Sequence, residues 1–266
     1  MTQAAGYSYY HLTRKFSALL GESLGSYIKK RRLADGAKKL LYTKRRIIDI
    51  AVENGFNSSE AFSRAFKTAY KVCPYTYRKN RLDLFLTAKE SLERDILKHR
   101  AENITVYPKI VEMPDMKAAG LRGRTTLRDN VIPALWQRFQ ALAHLVPHQI
   151  DNGRYFGICE AVSEGNSLLN MNRDVLFSEV AAIEVGSFED LPEQFAAKVL
   201  KGGRYAVFTH KGTLARITDT FNYIWSTWLL STKERLDMRE DFELYDSRFR
   251  GYHDPGSEVD IYIPII

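Results

Sequence analysis

Apolar residues recur at helical spacing along the first third of the chain. Leu24, Ile28, Ala37, Leu40 and Leu41 follow this spacing through "GESLGSYIKKRRLADGAKKLLYT", with cationic residues between them. Because apolar residues three or four positions apart share one face of a helix, the pattern predicts a single long amphipathic helix.

Two shorter helices are predicted after it. The stretch "KRRIIDIAVEN" carries its apolar residues on one face, and Thr43 stands where it can cap this helix. Asn54 and Gly55 tolerate left-handed backbone conformations, so we expect them to end it. The next stretch, "SSEAFSRAFKTAY", begins with serines suited to an N-cap and places Phe62 and Phe66 on its apolar side.

The other side of this last helix is polar and carries mostly short side chains, namely Ser59, Glu60, Ser63 and Arg64. A short turn between two helices, the second with an exposed polar face, is typical of a helix-turn-helix that binds in the major groove of DNA. The outline of "GFNSSEAFSRAFK", Gly55 to Lys67, also occurs earlier in "GYSYYHLTRKF", Gly6 to Phe16. The sequence therefore predicts two such units.

The remainder alternates between strand and helix patterns from Ile104 onward. Two halves can be overlaid, each with the order strand, helix, strand, strand, and Trp136 and Trp225 occupy matching helical positions. This repetition predicts a duplicated βαββ unit in which helices back an antiparallel sheet. The fold class is therefore α+β, with a helical DNA-binding domain at 1–81, a helical linker at 82–103 and the duplicated domain at 104–266.

The positive charge is concentrated in the helical block. The chain has a net charge of +7, but the residues up to Arg81 contain 17 Lys and Arg against 5 Asp and Glu, which gives +12 and leaves −5 for the rest. Clustered cations are typical of proteins that contact the phosphates of nucleic acids. A solvated helical surface is the alternative explanation.

Several classes of protein are not supported by the sequence. No apolar run approaches the length of a membrane span, so we expect a cytoplasmic protein without a membrane partner. Cys73 and Cys159 are far apart and lack neighbours at ligand spacing, so neither a disulfide nor a metal site is expected. We also expect no cofactor and no catalytic residue, because nucleophile and phosphate-binding motifs are absent.

The paired motifs, the long helix and the closing "YKVCPYTYRKNR" resemble the DNA-binding domain of the AraC/XylS family of transcription regulators, from Gly6 to about Arg81. The resemblance implies two helix-turn-helix units on successive major grooves of DNA. Family members carry more helix before "AAGYS", so we expect the first unit to be incomplete. The DNA contacts that the resemblance implies are Tyr9, Tyr10, Thr13, Arg14, Ser59, Glu60, Ser63, Arg64 and Lys67.

These residue types suit DNA. Arginine can bond guanine bidentately and glutamate can accept from cytosine, whereas a lysine such as Lys67 is suited to phosphate. The alternative is that Arg14 and Arg64 pair with nearby carboxylates.

The second block resembles the GyrI-like effector-binding domain, from about Ile104 to Ile266, most clearly in "KIVEMPDMKAAGLRG", "DFELYD" and "SEVDIYIPI". The resemblance implies a cleft for a hydrophobic, often cationic, small molecule, with Glu243 as its central carboxylate. Strand alternation independently puts Glu243 and Tyr245 on the side opposite Phe242. The aromatic candidates for the effector site are Trp136, Trp225, Tyr245 and, more weakly, Tyr205, with core packing as their alternative role.

The leading interpretation is a transcription regulator that responds to a small molecule and binds promoter DNA. RNA polymerase is a further candidate partner, and a monomer or weak dimer is the expected state. Two alternatives remain open: a GyrI-like hydrolase that uses pocket carboxylates as acid and base, and a protein that sequesters toxic compounds. Glu160 and Glu243 lie in corresponding strands, but the overlay of the halves puts Glu160 opposite Asp246, so the two glutamates need not share a site.

Overall fold

The computed structural model describes residues 9–70, 72–79, 94–126, 128–151, 153–161, 176–229, 232–237 and 239–266. The start of the first predicted motif, and residues 82–93 of the predicted linker, lie outside this part. The chain divides into two compact units. A helical unit comprises 1–102 with 218–232, and a sheet unit comprises 103–217 with 233–266. No helix in the described ranges is long and apolar enough to cross a membrane.

Six described helices precede the sheet unit in the chain. They are α1 (Tyr9–Leu20), α2 (Leu24–Tyr42), α3 (Ile47–Glu53), α4 (Ser59–Tyr70), α5 (Pro74–Lys79) and α6 (Arg94–Glu102). The long helix predicted from the apolar spacing is α2. Ser23 caps its start, because its Oγ accepts a hydrogen bond from the backbone N–H of Ser26 at 3.2 Å.

Thr43 ends α2 instead of starting α3, so its predicted role as an N-cap is wrong. Its backbone N–H and its hydroxyl both donate to the carbonyl of Lys39, at 3.0 and 2.6 Å. The hydroxyl is thereby used on an unpaired carbonyl of the preceding helix. Helix α3 follows Arg46, whose side chain makes no capping hydrogen bond.

The turn between α3 and α4 uses one left-handed residue. Gly55 has φ +73°, whereas Asn54 has φ −88° and instead donates from Nδ2 to the carbonyl of Ile50 at 2.8 Å. Asn54 is therefore not left-handed as predicted. Ser58 caps α4 as expected, since its Oγ accepts from the N–H of Ala61 at 3.1 Å. Together α3, the turn and α4 form a helix-turn-helix.

Close packing of α2 on α4 holds this helix-turn-helix together. A Cβ built on Gly36 of α2 would lie 2.8 Å from the ring of Phe62, which is fully buried. Phe62 also contacts Phe56 and Phe66, with ring centroids 5.2 and 5.4 Å away. The core therefore depends on the absence of a side chain at Gly36.

Buried polar contacts hold residues 218–232 within the helical unit. Lys30 donates from Nζ to the carbonyl of Thr227 at 2.9 Å, while its charge is paired with Glu22 at 2.9 Å. His99 of α6 lies 2.9 Å from the hydroxyl of Thr220 through Nε2. Burial lowers the pKa of Lys30, and the Glu22 carboxylate opposes this shift.

The sheet unit contains one eight-stranded antiparallel sheet, in the order β1-β6-β8-β7-β3-β4-β2-β5. Its strands are β1 (Lys109–Met113), β2 (Met116–Thr125), β3 (Tyr155–Ala161), β4 (Phe177–Glu184), β5 (Ala196–Leu200), β6 (Gly203–Lys211), β7 (Phe242–Tyr245) and β8 (Glu258–Pro264). The helices after β2 and β6 are α7 (Ile132–Leu142) and α8 (Ile217–Tyr223), and α8 passes into a π-helical segment, Ile224–Trp228.

The α+β class and the duplication are confirmed, with one strand more in each half than predicted. The additional strands are β1 and β5, and each pairs with a strand of the other half: β1 with β6, and β5 with β2. At the centre of the sheet the two halves also meet, where β3 pairs with β7. This pairing places residues of both halves side by side at the middle of the sheet.

The two faces of the sheet have different cores. Phe156, Ile158, Phe242 and Leu244 belong to the core cluster of one face. On the other face, Phe139 of α7 belongs to a second cluster, which also contains Leu121, Leu135 and Ala181. The odd-numbered residues of β3 and β7 point toward this second face, because side chains alternate along a strand.

Candidate functional site

Helix α4 presents the polar face that the sequence predicts. Phe62 and Phe66 are buried, whereas Glu60, Arg64 and Lys67 are exposed. Ser59 and Ser63 are half-buried on the same outward side. Exposed polar and cationic side chains on one side of a helix are the residue types that proteins use for contacts in a DNA groove.

Glu60 is held in place at the beginning of α4. Ser59 donates from Oγ to Glu60 Oε1 at 2.9 Å. A hydrogen bond from the Ser58 side chain is the largest cause that lowers the pKa of Glu60, so this exposed carboxylate is an acceptor at neutral pH.

Helix α1 carries the residues predicted for the first DNA-binding unit. Tyr10 is 71% exposed, and the guanidinium of Arg14 lies 5.8 Å from the centre of its ring. Thr13 donates from Oγ1 to the carbonyl of Tyr10 at 3.0 Å. The side chain of Tyr9 lies outside the described residues. Neither Arg14 nor Arg64 forms an ion pair with a described residue, so both charges are available to a polyanion.

The sheet unit places Glu243 at the middle of the sheet. Glu243 lies directly opposite Gly157 of β3, where the two halves meet. Its side chain points away from Phe242 and Leu244, as the alternation predicts, and Tyr245 donates a hydrogen bond from its hydroxyl to Glu243 Oε2. A carboxylate therefore lies beside a tyrosine on the face that α7 covers.

Two further carboxyl groups, which the sequence reasoning missed, accompany Glu243. Glu179 of β4 and Asp241 just before β7 are both 5% exposed. The strand that contains Glu179 is buried along its whole length. The sequence could have indicated Glu179, because a glutamate is seldom found inside an apolar run such as "FSEVAAIEV" unless it has a function.

Burial changes the ionisation of this group of carboxyls. It raises the pKa of Glu243 to about 7, against the opposing effect of the Tyr245 hydrogen bond, and raises the pKa of Asp241 to about 7. The pKa of Glu179 is raised well above its usual value, first by burial and then by the charges of Glu243 and Asp241. No described lysine or arginine forms an ion pair with any of the three.

Aromatic side chains adjoin these carboxyls. The rings of Trp136 and Tyr245 lie 4.9 Å apart, and Phe249 lies 5.0 Å from Tyr245. Tyr155 packs against the same cluster. Trp136 Nε1 is buried and has no hydrogen-bond partner among the described residues. Carboxylates next to aromatic faces form an environment that attracts an organic cation.

The structure does not bring Tyr205 to this group. Tyr205 lies on the other face of the sheet, where its ring packs 5.4 Å from Phe242 and its hydroxyl donates to the carbonyl of Lys201 at 2.7 Å. Trp225 is buried in the π-helical segment, which belongs to the helical unit. Trp136 and Trp225 match in sequence, but they belong to different units.

Glu160 and Glu243 do not form an acid and base pair. Glu160 shares the side of β3 with Ile158, by alternation, and its carboxylate pairs with Arg122 at 2.7 Å and Lys198 at 2.8 Å. Burial raises the pKa of Glu160, but the hydrogen bonds and charges of these two cations together outweigh it and keep the pKa below its usual value. Glu179, not Glu160, is the carboxyl beside Glu243.

Comparison with known families assigns both parts of the chain. A family model described as "Integron-associated effector binding protein" matches residues 109–265, which is more than half of the chain. A model described as "Helix-turn-helix domain" matches residues 1–80. The sequence resemblances to a DNA-binding domain and an effector-binding domain are thereby confirmed.

Individual relatives agree with this assignment. The transcriptional regulator BrlR of Pseudomonas aeruginosa is 34% identical over 160 residues, which are 60% of this chain and 56% of BrlR. The transcriptional regulator Rob of Salmonella typhimurium is 24% identical over 244 residues, which are 91% of this chain and 81% of Rob. The chain thus spans little more than half the length of BrlR.

A solved structure, an integron cassette protein of Vibrio cholerae, has a TM-score of 0.43 and 19% identity, and the match covers 62% of this chain and 97% of that one. The family assignment itself rests on the extent of the effector-binding match. The chain belongs to the family of integron-associated effector binding proteins and carries a helix-turn-helix domain in front of that part.

Proposed function

We propose that this chain is a transcription regulator that binds promoter DNA through its helical unit and a hydrophobic cation in its sheet unit. The observation that carries the proposal is the Glu243 carboxyl, which is half-buried beside aromatic rings and has no cationic partner among the described residues. A buried carboxylate without a counter-charge is costly. An organic cation supplies that charge and packs against Trp136 and Tyr245.

The DNA-binding part of the proposal is supported by the exposed face of α4. Arg64 and Lys67 are exposed there, and the match to a helix-turn-helix domain covers both residues. The relatives BrlR and Rob are named transcriptional regulators, which favours regulation over catalysis. Binding of the effector would change the level of transcription from the bound promoter, with RNA polymerase as the further partner.

Calorimetry with two matched ligands tests the effector site. The first is a naphthalene with one aminomethyl and one ethyl group, which is a cation at neutral pH. The second carries a hydroxymethyl group in place of the aminomethyl group and is neutral. We expect the cation to bind at least about tenfold more tightly, because it compensates the Glu243 carboxylate.

The variant Glu243→Gln should remove that preference, while the exposed Glu189→Gln should preserve it although it deletes the same charge. Equal affinity for both ligands in the native protein would contradict the proposed site. A preference for the cation that survives Glu243→Gln would place the anchor elsewhere.

A further inference from the structure

Glu179 gives the proposed effector site a second carboxyl group, and this one is buried. Strand β3 lies between β4 and β7, and its Gly157 has no side chain to separate Glu179 from Glu243. A Cβ built on Gly157 would lie 2.9 Å from Glu179 Oε1 and 3.1 Å from Glu243 Oε2, so these two oxygens are at most about 6 Å apart. The glycine thus leaves one shared space between two carboxyl groups.

Asp241 adds an acceptor without a partner to this group of carboxyls. Asp241 is 5% exposed, and its Oδ1 accepts no hydrogen bond from any described residue. It lies two positions before Glu243, and the Glu179 carboxyl makes no hydrogen bond to a described residue. Buried polar atoms are almost always satisfied, so the unsatisfied Asp241 oxygen beside a cation site indicates a ligand that brings donors.

A ligand with one positive charge would leave part of this group uncompensated. It could pair with Glu243, but the Glu179 carboxyl would then stay in the apolar interior as an unpaired charge or as a neutral acid. A second cationic group on the same ligand removes that cost. Nitrogen groups with several N–H donors also satisfy the acceptor oxygens that remain.

We propose that the effector is an aromatic molecule with two cationic N–H-bearing groups, such as a diamine or diamidine, one held by Glu243 and the other by Glu179. This inference rests on the proposed function, because it concerns the same site. The aromatic part of the effector packs against Trp136 and Tyr245, whose rings lie 4.9 Å apart beside Glu243.

Calorimetry on the full chain tests this with two matched cations. One is a naphthalene with two aminomethyl groups, and the other is the analogue in which one aminomethyl group is replaced by ethyl. We expect the dication to bind at least about tenfold more tightly to the native protein. Glu179→Gln should abolish that advantage and leave the affinity for the monocation within about threefold of the native value. Glu189→Gln serves as the matched control.

The outcomes separate the two proposals. Suppose that the affinity for the monocation depends on Glu243. If the dication then binds no more tightly than the monocation, or if it still binds more tightly in Glu179→Gln, the assignment of Glu179 is wrong while the proposed function stands. If neither cation depends on Glu243, the proposed site itself is wrong. A thermal unfolding midpoint no more than about 3 °C below the native value shows that each variant is folded.

Discussion

At the scale of single residues, the protonation state of Glu243 and the binding of a cationic ligand should depend on each other. Burial raises its pKa to about 7, so in the ligand-free protein the group is partly protonated at neutral pH. Tyr245 donates a hydrogen bond to it, which favours the ionised form. A bound cation would shift the balance further toward the carboxylate, and ligand binding would therefore release protons.

The affinity of a cation should depend on pH through this group. Below about pH 7, protonation of Glu243 competes with the ligand, so we expect the affinity of the aminomethyl ligand to fall by up to about tenfold per pH unit. The ligand itself stays charged over this range. Calorimetry between about pH 5.5 and 8.5 measures the dependence, with the neutral hydroxymethyl ligand as control. A constant affinity for the cation would show that Glu243 does not titrate in the site.

The ionisation of Glu243 should also make the stability of the folded chain depend on pH. A carboxyl whose pKa is raised on folding binds its proton more tightly in the folded chain than in the unfolded chain. The free energy of unfolding therefore falls as the pH rises from the usual pKa of a glutamate to about 7. Glu243→Gln removes this cost. We expect the variant to be more stable than the native protein by roughly 1–3 kcal/mol at about pH 8, with the difference vanishing by about pH 4.

Hydrogen exchange of the β3 and β7 amides along a urea titration measures this difference within the sheet unit. Glu189→Gln should leave the profile unchanged, because the Glu189 side chain is exposed. A loss of stability in Glu243→Gln at pH 8 would contradict the account, since it would mean that the ionised carboxylate stabilises the fold.

At the scale of elements, the helix-turn-helix depends on how closely α2 approaches α4. Gly36 to Ala would place a methyl group 2.8 Å from the ring of Phe62, which its neighbours Phe56 and Phe66 keep from moving. We expect a loss of roughly 1–3 kcal/mol in the stability of the helical unit. Circular dichroism during urea unfolding measures it.

Gly25 provides the matched control, because it also lies in α2 but has nothing within 4 Å of a Cβ. Gly25→Ala should be neutral or stabilising by up to about 1 kcal/mol, as alanine is the better helix former. Equal effects of the two substitutions would show that helix propensity, not the contact with Phe62, governs this position.

The exposed face of α4 leads to a separate prediction, which concerns the affinity and sequence preference of DNA binding. If Arg64 contacts a base, Arg64→Ala should cost roughly 1–3 kcal/mol and relax the sequence preference, whereas Lys67→Ala should weaken binding to all duplexes alike. Loss of a phosphate contact should also reduce the slope of log affinity against log salt by about 1. Gel shifts with a selected duplex and a scrambled one at several salt concentrations measure both. An unchanged preference in Arg64→Ala would exclude a base contact.

At the scale of the whole molecule, local patterns predicted more than pairings between distant residues. Apolar spacing located α2 and α4, and alternation oriented Glu243, because both depend on neighbours in the chain. Strands β1 and β5 each pair with the other half across long stretches of chain, as Lys109 pairs with Val207, which lies 98 positions later, and no local pattern predicts such pairing. Glu179 was missed for the same reason: its importance arises only where β4 and β7 flank Gly157.

Regulation by this chain requires that recognition of a cation at Glu243 controls transcription from a bound promoter. In vitro transcription from a promoter fragment selected with the full chain tests this claim most directly, using the native protein and Glu243→Gln with the aminomethyl ligand and its neutral hydroxymethyl analogue. We expect the cation alone to change the transcript level, at least about threefold, and only with the native protein. An equal response of the native protein and Glu243→Gln, or an equal response to both ligands, would contradict the account.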